Sequence, residues 1–583
     1  MTSEPKRLCV LKFGSSVLRD ENDLSAAALE IYRHVRDGEK VVAVVSALGD
    51  ETDGLLEQAA RVGGGPCPTL VARLARVGEL RSSALTALAL SRIGVQACTI
   101  DPHEMGLVAQ GEALDADLTE LDADAVLARL DTHDVVVVPG FTAGHAQHGV
   151  VTLGRGGTDL SAVFFAARLD AHRVRLIKDV DGVYAEDPAR NPRALRYATM
   201  SYDEAARASS GLIQPKAIRA AEVDDVLIEV AALGQDGATT IAPPSSANVP
   251  AATSMPLGVP PLRVALLGCG AVGAGVLAYL QARPDLFDLN PVLVRSPARH
   301  GEAAVFTDRL DVALADEPDL VVELIGGADY PAEIMRGALR GGAAVVTANK
   351  GAVAGHWDAL HAAARASGVP LRFSAAVGGG APVLEALGRH RGAVVAIEGV
   401  MNGTANFILS KLGEGWSFQD ALAEAQAKGF AEADPTADVD GHDAADKLSI
   451  LAREAFGAAV PSASIAKASL RDVSPVAVAD ALAAESVLKQ VGRCVRSADG
   501  AVHADVRIVA LPASHPLARP KNEENCFLVT LSDGCVHEVF GKGAGRWPSA
   551  ASVFSDIMDV QRALAGRASR DEEAVAMPMR LSA

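Results

Sequence analysis

The sequence lacks three features that would each point to a particular class of protein. Its seven cysteines are odd in number and scattered, and no CxxC pair occurs, so neither a disulfide framework nor a zinc site is indicated. No uninterrupted apolar run reaches the roughly 18 residues that a membrane-spanning helix needs. The first residues contain no apolar stretch of the signal-peptide type. These absences predict a cytoplasmic protein without a membrane partner.

Positive charge is also scarce. Lysine and arginine number 54 against 73 aspartate and glutamate residues, which gives a formal net charge of −19. A nucleic-acid surface needs clustered basic side chains, so the balance argues against such a partner. It leaves small anionic substrates open, because local charge can oppose the global field. The 583 residues are too many for one core and predict several domains.

One segment, residues 241–261, is rich in Pro, Ala and Ser and carries no charge, as is typical of an exposed linker. On both sides of it, short apolar strands alternate with helical segments. After the linker the predicted strands include LRVALLGCG, DLVVELIGG, AAVVTANK and PLRFSAAVGGG. This alternation predicts an α/β fold with parallel sheets covered on both faces, and ligands bind such sheets at the carboxyl ends of the strands.

The segment LRVALLGCGAVGAGVLAYL predicts a strand, a glycine turn and a helix. Its glycines fit the GxGxxG pattern of dinucleotide-binding domains, in which a pyrophosphate rests on the turn and the helix N-terminus. The predicted contact residues are Gly268, Gly270, Ala271, Val272 and Gly273. The next strand ends at Arg295 where an NAD-specific domain would carry an acidic residue, so NADP is favoured over NAD. The alternative for Arg295 and nearby Arg299 is a solvated basic turn.

Five further segments follow in order: VVELIGG, VVTANKGAVA, AAVGGGAPVLEAL, EGVMNGTANFIL and GFAEADPTADVDGHDAADKLSILA. Together they resemble the homoserine dehydrogenase family over nearly all of residues 262–560. The resemblance implies interconversion of L-homoserine and L-aspartate 4-semialdehyde, and assembly as a homodimer or higher oligomer. It also implies a Rossmann domain over 262–390, an α+β catalytic and dimerisation domain over 391–545, and a closing helix and tail over 546–583.

Asp443 and Lys447 are four residues apart and predict a pair on one face of a helix. A surface salt bridge is the alternative interpretation, but a buried lysine beside a carboxylate suits proton transfer from a hydroxyl. The resemblance gives this role to Lys447 and Asp443, and places Lys350 near the nicotinamide and the substrate oxygen. It also implies that Glu432 and Asp438 hold homoserine.

Three further positions in this half rest on the resemblance alone. It places Ile325 beside the cofactor. It also implies a monovalent cation held by backbone carbonyls near Val377 and Gly379. A carbonyl site has no side-chain signature, so nothing in the residue types themselves predicts it.

Before the linker, residues 1–240 contain KFGSSV at 12–17, GRGGTD at 154–159 and DVDGVYAEDP at 179–188. In combination these resemble the amino acid kinase family, and aspartate kinase in particular. The resemblance implies that ATP and Mg²⁺ are used to make 4-phospho-L-aspartate, with Lys12 neutralising the transferred phosphoryl group. The implied aspartate-side residues are Ser46, Glu79, Arg155, Thr158 and Asp159. The implied ATP-side residues are Lys178, Asp179 and Tyr184.

This half also departs from the kinase pattern. KFGSSV replaces KFGGTS, and a nucleotide-side lysine of the family aligns with Gly211, although Lys216 is nearby. The linker is too short for the regulatory domains that usually separate the two activities, so we predict that threonine feedback is lost. Two alternatives stay open: an inactive structural or ligand-binding module before the linker, and a different Rossmann dehydrogenase after it. The second leaves the acidic segment at 429–452 unexplained.

Overall fold

The computed structural model describes residues 7–63, 65, 67–191, 194–209, 211–243, 260–300, 305–428, 430–431 and 434–580, the side chains of 566–580 excepted. The chain divides into two compact units, Pro5–Val259 and Pro260–Ala583. Each unit has a hydrophobic core of its own. Among the described residues, no helix combines the length and apolar character required to cross a bilayer.

The N-terminal unit alternates strands and helices, as predicted. Its elements in chain order are β1 (Leu8–Phe13), α1 (Leu24–Arg36), β2 (Lys40–Val45), α2 (Glu51–Gly63), α3 (Pro68–Arg92), β3 (Ala97–Thr99), β4 (Val108–Glu112), β5 (Asp115–Glu120), α4 (Ala123–Thr132), β6 (Val135–Pro139), β7 (Thr142–His145), β8 (Gly149–Thr152), α5 (Gly157–Arg168), β9 (Arg173–Lys178), β10 (Thr199–Met200), α6 (Tyr202–Ala208), α7 (Pro215–Val223), β11 (Ile228–Ala232) and β12 (Ala238–Ile241).

Eight of these strands form one sheet in the order β10-β12-β11-β9-β1-β2-β6-β3. All neighbours are parallel except β11 and β12. The central strands β1, β2 and β6 are buried almost throughout, because helices cover both faces of a parallel sheet. A separate four-stranded sheet has the order β5-β4-β7-β8. The predicted α/β fold is confirmed for this unit.

The C-terminal unit begins with a parallel-sheet domain and continues into an antiparallel sheet. Its elements in chain order are β13 (Leu262–Leu267), α8 (Ala271–Gln281), β14 (Phe287–Leu289), β15 (Val292–Leu293), β16 (Phe306–Thr307), α9 (Leu310–Ala313), β17 (Leu320–Glu323), α10 (Asp329–Arg340), β18 (Ala344–Thr347), α11 (Lys350–Ser367), β19 (Leu371–Arg372), α12 (Ser374–Val377), α13 (Val383–Arg389), β20 (Val394–Val400), α14 (Gly403–Gly413), α15 (Phe418–Ala427), α16 (Thr436–Val439), α17 (His442–Phe456), β21 (Ala466–Lys467), α18 (Pro475–Ala483), β22 (Ser486–Arg496), β23 (Val502–Pro512), β24 (Glu524–Leu531), β25 (Val536–Lys542) and α19 (Arg546–Arg580).

The first sheet of this unit is parallel and has the order β16-β15-β13-β17-β18-β19, with β14 also paired to β13. This is the 3-2-1-4-5-6 strand order of a Rossmann fold, in which the strand order reverses beside the first strand. The strand predicted in PLRFSAAVGGG is shorter than expected. It covers only Leu371–Arg372, and Ser374–Val377 is helical because alanine favours a helix over a strand.

The second sheet has the order β21-β23-β22-β20-β24-β25 and is antiparallel except for the β21–β23 pair. Helices α12, α13 and α17 join one hydrophobic core with this sheet and with the Rossmann helices α10 and α11. The last helix, α19, packs back along α8, with Phe554 contacting Tyr279 and Phe287. The last helix thus lies against the first helix of the parallel-sheet domain.

Candidate active sites

Asp443 lies between two lysines in the C-terminal unit. It is the second residue of α17, which begins after Gly441 in the left-handed conformation (φ 75°). Its Oδ2 is 2.9 Å from Lys447 Nζ, and its Oδ1 forms an ion pair with Lys350 at the start of α11. Lys447 Nζ also donates to the Met401 carbonyl at 2.6 Å. The predicted helical pair is thus real and buried, and it is not a surface salt bridge.

The charges of this cluster depend on one another. Burial alone would raise the pKa of Asp443, but the positive charges of Lys447 and Lys350 outweigh it and hold that pKa well below its usual range. Burial alone would lower the pKa of Lys350, and the Asp443 carboxylate reverses the direction and raises it. At neutral pH Asp443 is therefore a carboxylate, and Lys350 carries a positive charge.

Asn402, which sequence reasoning did not single out, joins two carboxylates of the site. Its Nδ2 donates to Asp438 Oδ1 at 2.7 Å and to Asp443 Oδ2 at 2.9 Å. Its Oδ1 accepts from the Ala405 N–H at 2.8 Å and caps α14. The available signal was an asparagine at the boundary of a strand and a helix, a typical N-cap position. The amide orientation is fixed because a flipped side chain would turn its oxygen towards both carboxylates.

The structure brings Asp438 to the cluster through Asn402, while Glu432 lies outside the described residues. The resulting site presents two ammonium groups, two carboxylates and an amide. Such a set can hold a small substrate that carries both an ammonium group and a hydroxyl. In the reduction direction, an ammonium group of the site can donate the proton that the newly formed hydroxyl requires.

The glycine turn of the cofactor domain has the shape that a dinucleotide requires. Gly268 has φ +102°, and a Cβ there would lie 2.5 Å from the Leu324 carbonyl oxygen. A Cβ at Gly273 would lie 2.1 Å from the Gly268 oxygen, so both positions demand glycine. A Cβ at Gly270 would meet no heavy atom within 4 Å, so a phosphate has room to approach the backbone there. The turn therefore fits a dinucleotide.

A chain of hydrogen bonds links the cofactor loop to the start of α11. Glu323 is fully buried at the end of β17, accepting from the Ile325 N–H at 2.8 Å and from Thr347 Oγ1 at 2.6 Å. Burial raises the pKa of Glu323. Asn349 donates to the carbonyls of Ile325 and Gly327 and caps the helix that begins at Lys350. The backbone of Ile325 and the start of the helix at Lys350 are thus held in place by one hydrogen-bond network.

The remaining predicted positions of this unit lie just after β15 and at the end of α12. Arg295 and Arg299 are both exposed after β15, and no ion pair of either is found in the described part of the chain. Val377 ends α12, and Gly379 has φ +62°. A Cβ at Gly379 would lie 2.4 Å from the Gly543 carbonyl oxygen, so the turn packs tightly against the glycine-rich segment that precedes α19.

The N-terminal unit has its own cluster of one aspartate and two lysines. Asp159 lies in the first turn of α5, which begins after Gly156 in the left-handed conformation (φ 76°). Lys12 Nζ is 2.7 Å from Asp159 Oδ1, and Lys178 Nζ is 2.9 Å from Oδ2. The two lysines come from the neighbouring parallel strands β1 and β9, so both reach the carboxyl edge of the sheet. All three side chains are buried.

Glu79 and the pair of Ser46 and Thr158 lie in the same unit. Ser46 Oγ donates to Thr158 Oγ1 at 2.8 Å. Glu79 is buried, and burial raises its pKa to about 8, although the charge of Lys12 opposes the shift. Burial and the neighbouring charge of Lys12 lower the pKa of Lys178 to about 8, against the attraction of Asp159. The cluster is thus net positive at neutral pH, as suits a phosphoryl group.

Three other predicted residues lie further out. Arg155 and Asp179 are exposed. Tyr184 donates its hydroxyl to Asp181 Oδ1 at 2.5 Å, and burial together with that carboxylate raises its pKa. These positions lie in the loops that follow β8 and β9.

Lys216, the lysine near the departure from the kinase pattern at Gly211, is paired with two aspartates. It forms ion pairs with Asp115 at 3.1 Å and Asp117 at 2.9 Å, and donates to the Ala116 carbonyl at 2.9 Å. Its ammonium group is therefore held by β5. Gly211 has φ +87°, a conformation that a lysine rarely adopts.

Comparison with known proteins gives three matches to family profiles. The profile for homoserine dehydrogenase matches residues 382–558, that for the homoserine dehydrogenase NAD-binding domain matches 268–374, and that for the amino acid kinase family matches 7–230. The homoserine dehydrogenase of Pseudomonas aeruginosa is 37% identical over 321 residues, which span 52% of this chain and 73% of that protein. The chain belongs to the homoserine dehydrogenase family.

Other members of the family are similarly related. The homoserine dehydrogenase of Corynebacterium glutamicum is 36% identical over 318 residues, 51% of this chain and 72% of that protein. The crystal structure of a homoserine dehydrogenase from Thiobacillus denitrificans has 33% identity and a TM-score of 0.49, covering 52% of this chain and 74% of that one.

The chain thus joins an amino acid kinase domain to a homoserine dehydrogenase with its NAD-binding domain, and that prediction is confirmed. Between the kinase match and the NAD-binding match lie only residues 231–267. This interval is shorter than an ordinary folded domain.

Proposed function

We propose that the C-terminal unit interconverts L-homoserine and L-aspartate 4-semialdehyde, with NADP(H) preferred over NAD(H). The observation that carries this proposal is the cluster of Lys350, Asp443 and Lys447, in a unit that also has a glycine turn shaped for a dinucleotide. A generic Rossmann dehydrogenase has no need for the second carboxylate, Asp438, that Asn402 ties to this cluster.

When bound, the nicotinamide supplies the hydride acceptor for alcohol oxidation. The chain's own residues handle charge and protons. Asp438, together with Glu432, holds the substrate ammonium group. Lys447 is oriented by its hydrogen bond to the Met401 carbonyl and its ion pair with Asp443. Together, Lys447 and Asp443 carry out the proton transfer at the substrate hydroxyl. Lys350, kept positive by Asp443, stabilises negative charge on the substrate oxygen.

The NADP preference rests on Arg295, whose exposed guanidinium stands at the end of β15, where a ribose 2′-phosphate binds in Rossmann folds. A monovalent cation held by the carbonyls near Val377 and Gly379 is proposed from the family resemblance. The test is an assay of the purified full-length protein for homoserine-dependent reduction of NADP⁺ and NAD⁺. Activity with homoserine and a higher kcat/KM for NADP⁺ is expected. Oxidation of other amino acids in place of homoserine would refute the proposal.

For the N-terminal unit we propose that Lys12, Asp159 and Lys178 support phosphoryl transfer from ATP to L-aspartate, with Mg²⁺ on the phosphates. The buried, net positive cluster favours this activity. Ser46, Glu79, Arg155 and Thr158 would face the aspartate. Asp179 and Tyr184 would face the nucleotide.

The engagement of Lys216 by Asp115 and Asp117 favours a second candidate, an inactive ligand-binding or structural module. An aspartyl hydroxamate assay of the full chain with ATP and Mg²⁺ separates the two. Product formation that depends on aspartate supports the kinase. Its absence in a preparation with active dehydrogenase favours the module.

We further propose a cytoplasmic homodimer or higher homo-oligomer, assembled through residues 391–545, without a nucleic-acid or membrane partner. Sedimentation velocity of the full chain tests the assembly, and a monomer at micromolar concentration would contradict it. We also propose that threonine does not regulate either activity. Tight threonine binding by calorimetry, coupled to inhibition, would contradict that.

A further inference from the structure

The start of the closing helix α19 lies beside the helix that follows the dinucleotide turn. A Cβ on Gly275 of α8 would lie 2.7 Å from Ala550 Cβ and 3.6 Å from both Cγ and the carbonyl oxygen of Arg546. The rings of Tyr279 and Trp547 contact each other on the next turn, with centroids 5.8 Å apart and planes tilted by 58°. The absence of a side chain at Gly275 thus lets the two helices touch, and it fixes the first turn of α19 against the first turns of α8.

This packing places Arg546 beside Gly275, two residues after the last glycine of the turn. Cys269 lies between Gly268 and Gly270, and burial raises the pKa of its thiol while the positive charge of Arg546 acts in the opposite direction. Arg546 is exposed, and its guanidinium lies 4.8 Å from the centre of the Trp547 ring. Within the described ranges it forms no ion pair with a carboxylate. Its charge is therefore available beside the turn.

We propose that Arg546 binds the diphosphate of the nicotinamide dinucleotide. The inference rests on the proposed cofactor use of this unit and adds a contact from outside the Rossmann domain. In Rossmann folds the diphosphate lies on the glycine turn after the first strand, and Arg546 packs beside the helix that follows this turn. The ribose 2′-phosphate lies at the end of the second strand, where Arg295 stands. The position of Arg546 thus assigns it to the part that NAD and NADP share.

The two arginines therefore make opposite predictions for cofactor choice. Loss of Arg546 removes a charge-assisted contact to phosphate, and affinity for NADH and NADPH should fall alike, by about tenfold or more. Loss of Arg295 should lower the affinity for NADPH while leaving the affinity for NADH nearly unchanged. The planar fork of arginine suits two phosphate oxygens, so Arg546→Lys should recover only part of the affinity.

The experiment measures dissociation constants of NADH and NADPH by nucleotide fluorescence on the full chain, for Arg546→Ala, Arg546→Lys, Arg546→Gln and Arg295→Ala. Arg507→Ala is the matched control, because that arginine is exposed on β23. A comparable loss for both cofactors in Arg546→Ala and Arg546→Gln, with partial recovery in Arg546→Lys, is the expected result. Unchanged affinity, or a loss confined to NADPH, would overturn the proposal.

The binding readout is independent of the chemical step. If the wild-type chain bound both cofactors but failed to oxidise homoserine, the proposed function would fail while the role of Arg546 remained measurable. If the alanine variant did not fold, the glutamine and lysine variants would still decide the question. Raising the salt concentration should weaken NADH binding more in the wild type than in Arg546→Gln, because one ionic contact is missing in the variant.

Discussion

The two halves of the chain build their candidate sites from the same three residue types. In each, an aspartate in the first turn of a helix follows a glycine in the left-handed conformation, and two lysines contact that aspartate. The lysines of the kinase domain come from two adjacent strands. In the dehydrogenase, Lys447 comes from the next turn of the same helix and Lys350 from the start of another.

The surroundings give these clusters different net charges. Beside Lys12, Asp159 and Lys178 lies Glu79, whose pKa is raised to about 8 by burial, so at neutral pH it adds little negative charge. Beside Lys350, Asp443 and Lys447 lies the second carboxylate, Asp438, joined through Asn402. The first cluster is net positive and suits a phosphoryl group. The second is balanced and suits a substrate that carries charges of both signs.

Among substitutions that test the difference between the two clusters, Lys447→Ala should have the largest effect on activity. The variant loses the proton-transfer group, so homoserine oxidation should fall by about 10²–10⁴-fold, the usual contribution of general acid–base catalysis. Steady-state rates of NADP⁺ reduction measure it. Lys428→Ala, which alters an exposed lysine of the same domain, should retain activity. Full activity in the Lys447 variant would refute its role in proton transfer.

The corresponding variant of the first half, Lys12→Ala, should affect only the kinase. Removal of a positive charge that faces the phosphoryl group should lower hydroxamate formation by about 10²–10³-fold. The dehydrogenase activity of the same preparation is the internal control, and it should stay within about twofold of the wild type, since each half has its own core. An equal loss of both activities would mean that the substitution damages the whole chain.

The sequence predicted the secondary-structure elements of both sites better than the long-range hydrogen bonds and packing contacts between them. Strand ends, the glycine turn and the spacing of Asp443 and Lys447 follow from local periodicity, and the structure has them as expected. The bond from Asn402 to Asp438 and Asp443 joins residues 36 and 41 positions apart, and local pattern does not encode such pairing. The return of α19 was predicted, but only the packing at Gly275 shows where Arg546 lies.

A smaller effect on activity is expected from substitution of Asn402, which donates hydrogen bonds to both carboxylates. Asn402→Ser keeps an oxygen to cap α14 but removes both donors, and Asn402→Asp adds a third negative charge. Hydrogen bonds to charged groups are worth about 1.5–3 kcal/mol, so kcat/KM for homoserine should fall about 10–100-fold in Asn402→Ser and further in Asn402→Asp. The dissociation constant of NADPH should not change. A loss confined to cofactor binding would contradict this positioning role.

The smallest predicted effect concerns pH and Glu79. Its folded-state pKa of about 8 exceeds the unfolded value, so the folded unit holds the proton more tightly. The stabilisation is present below the unfolded pKa of about 4.3 and is lost as the pH rises to about 8. Glu79→Gln is always neutral, so its stability relative to the wild type should increase from pH 5 to 9, by roughly 1–3 kcal/mol.

Hydrogen exchange in peptides from α3 measures this difference, because Trp357, Trp416 and Trp547 all lie in the other unit and leave fluorescence uninformative here. Glu57→Gln is the control, since that glutamate is exposed on the neighbouring helix α2. A stability difference that stays constant across the pH range would show that Glu79 is ionised in the folded protein throughout.

The packing of α19 on α8 also has a consequence for the order of events during synthesis. The face of α8 that carries Gly275 and Tyr279 is covered in part by Ala550 and Phe554. Roughly 270 residues of translation separate the two helices, which at 5–20 residues per second is about 15–55 seconds. Throughout that interval the nascent cofactor domain exposes this face to chaperones and to neighbouring chains.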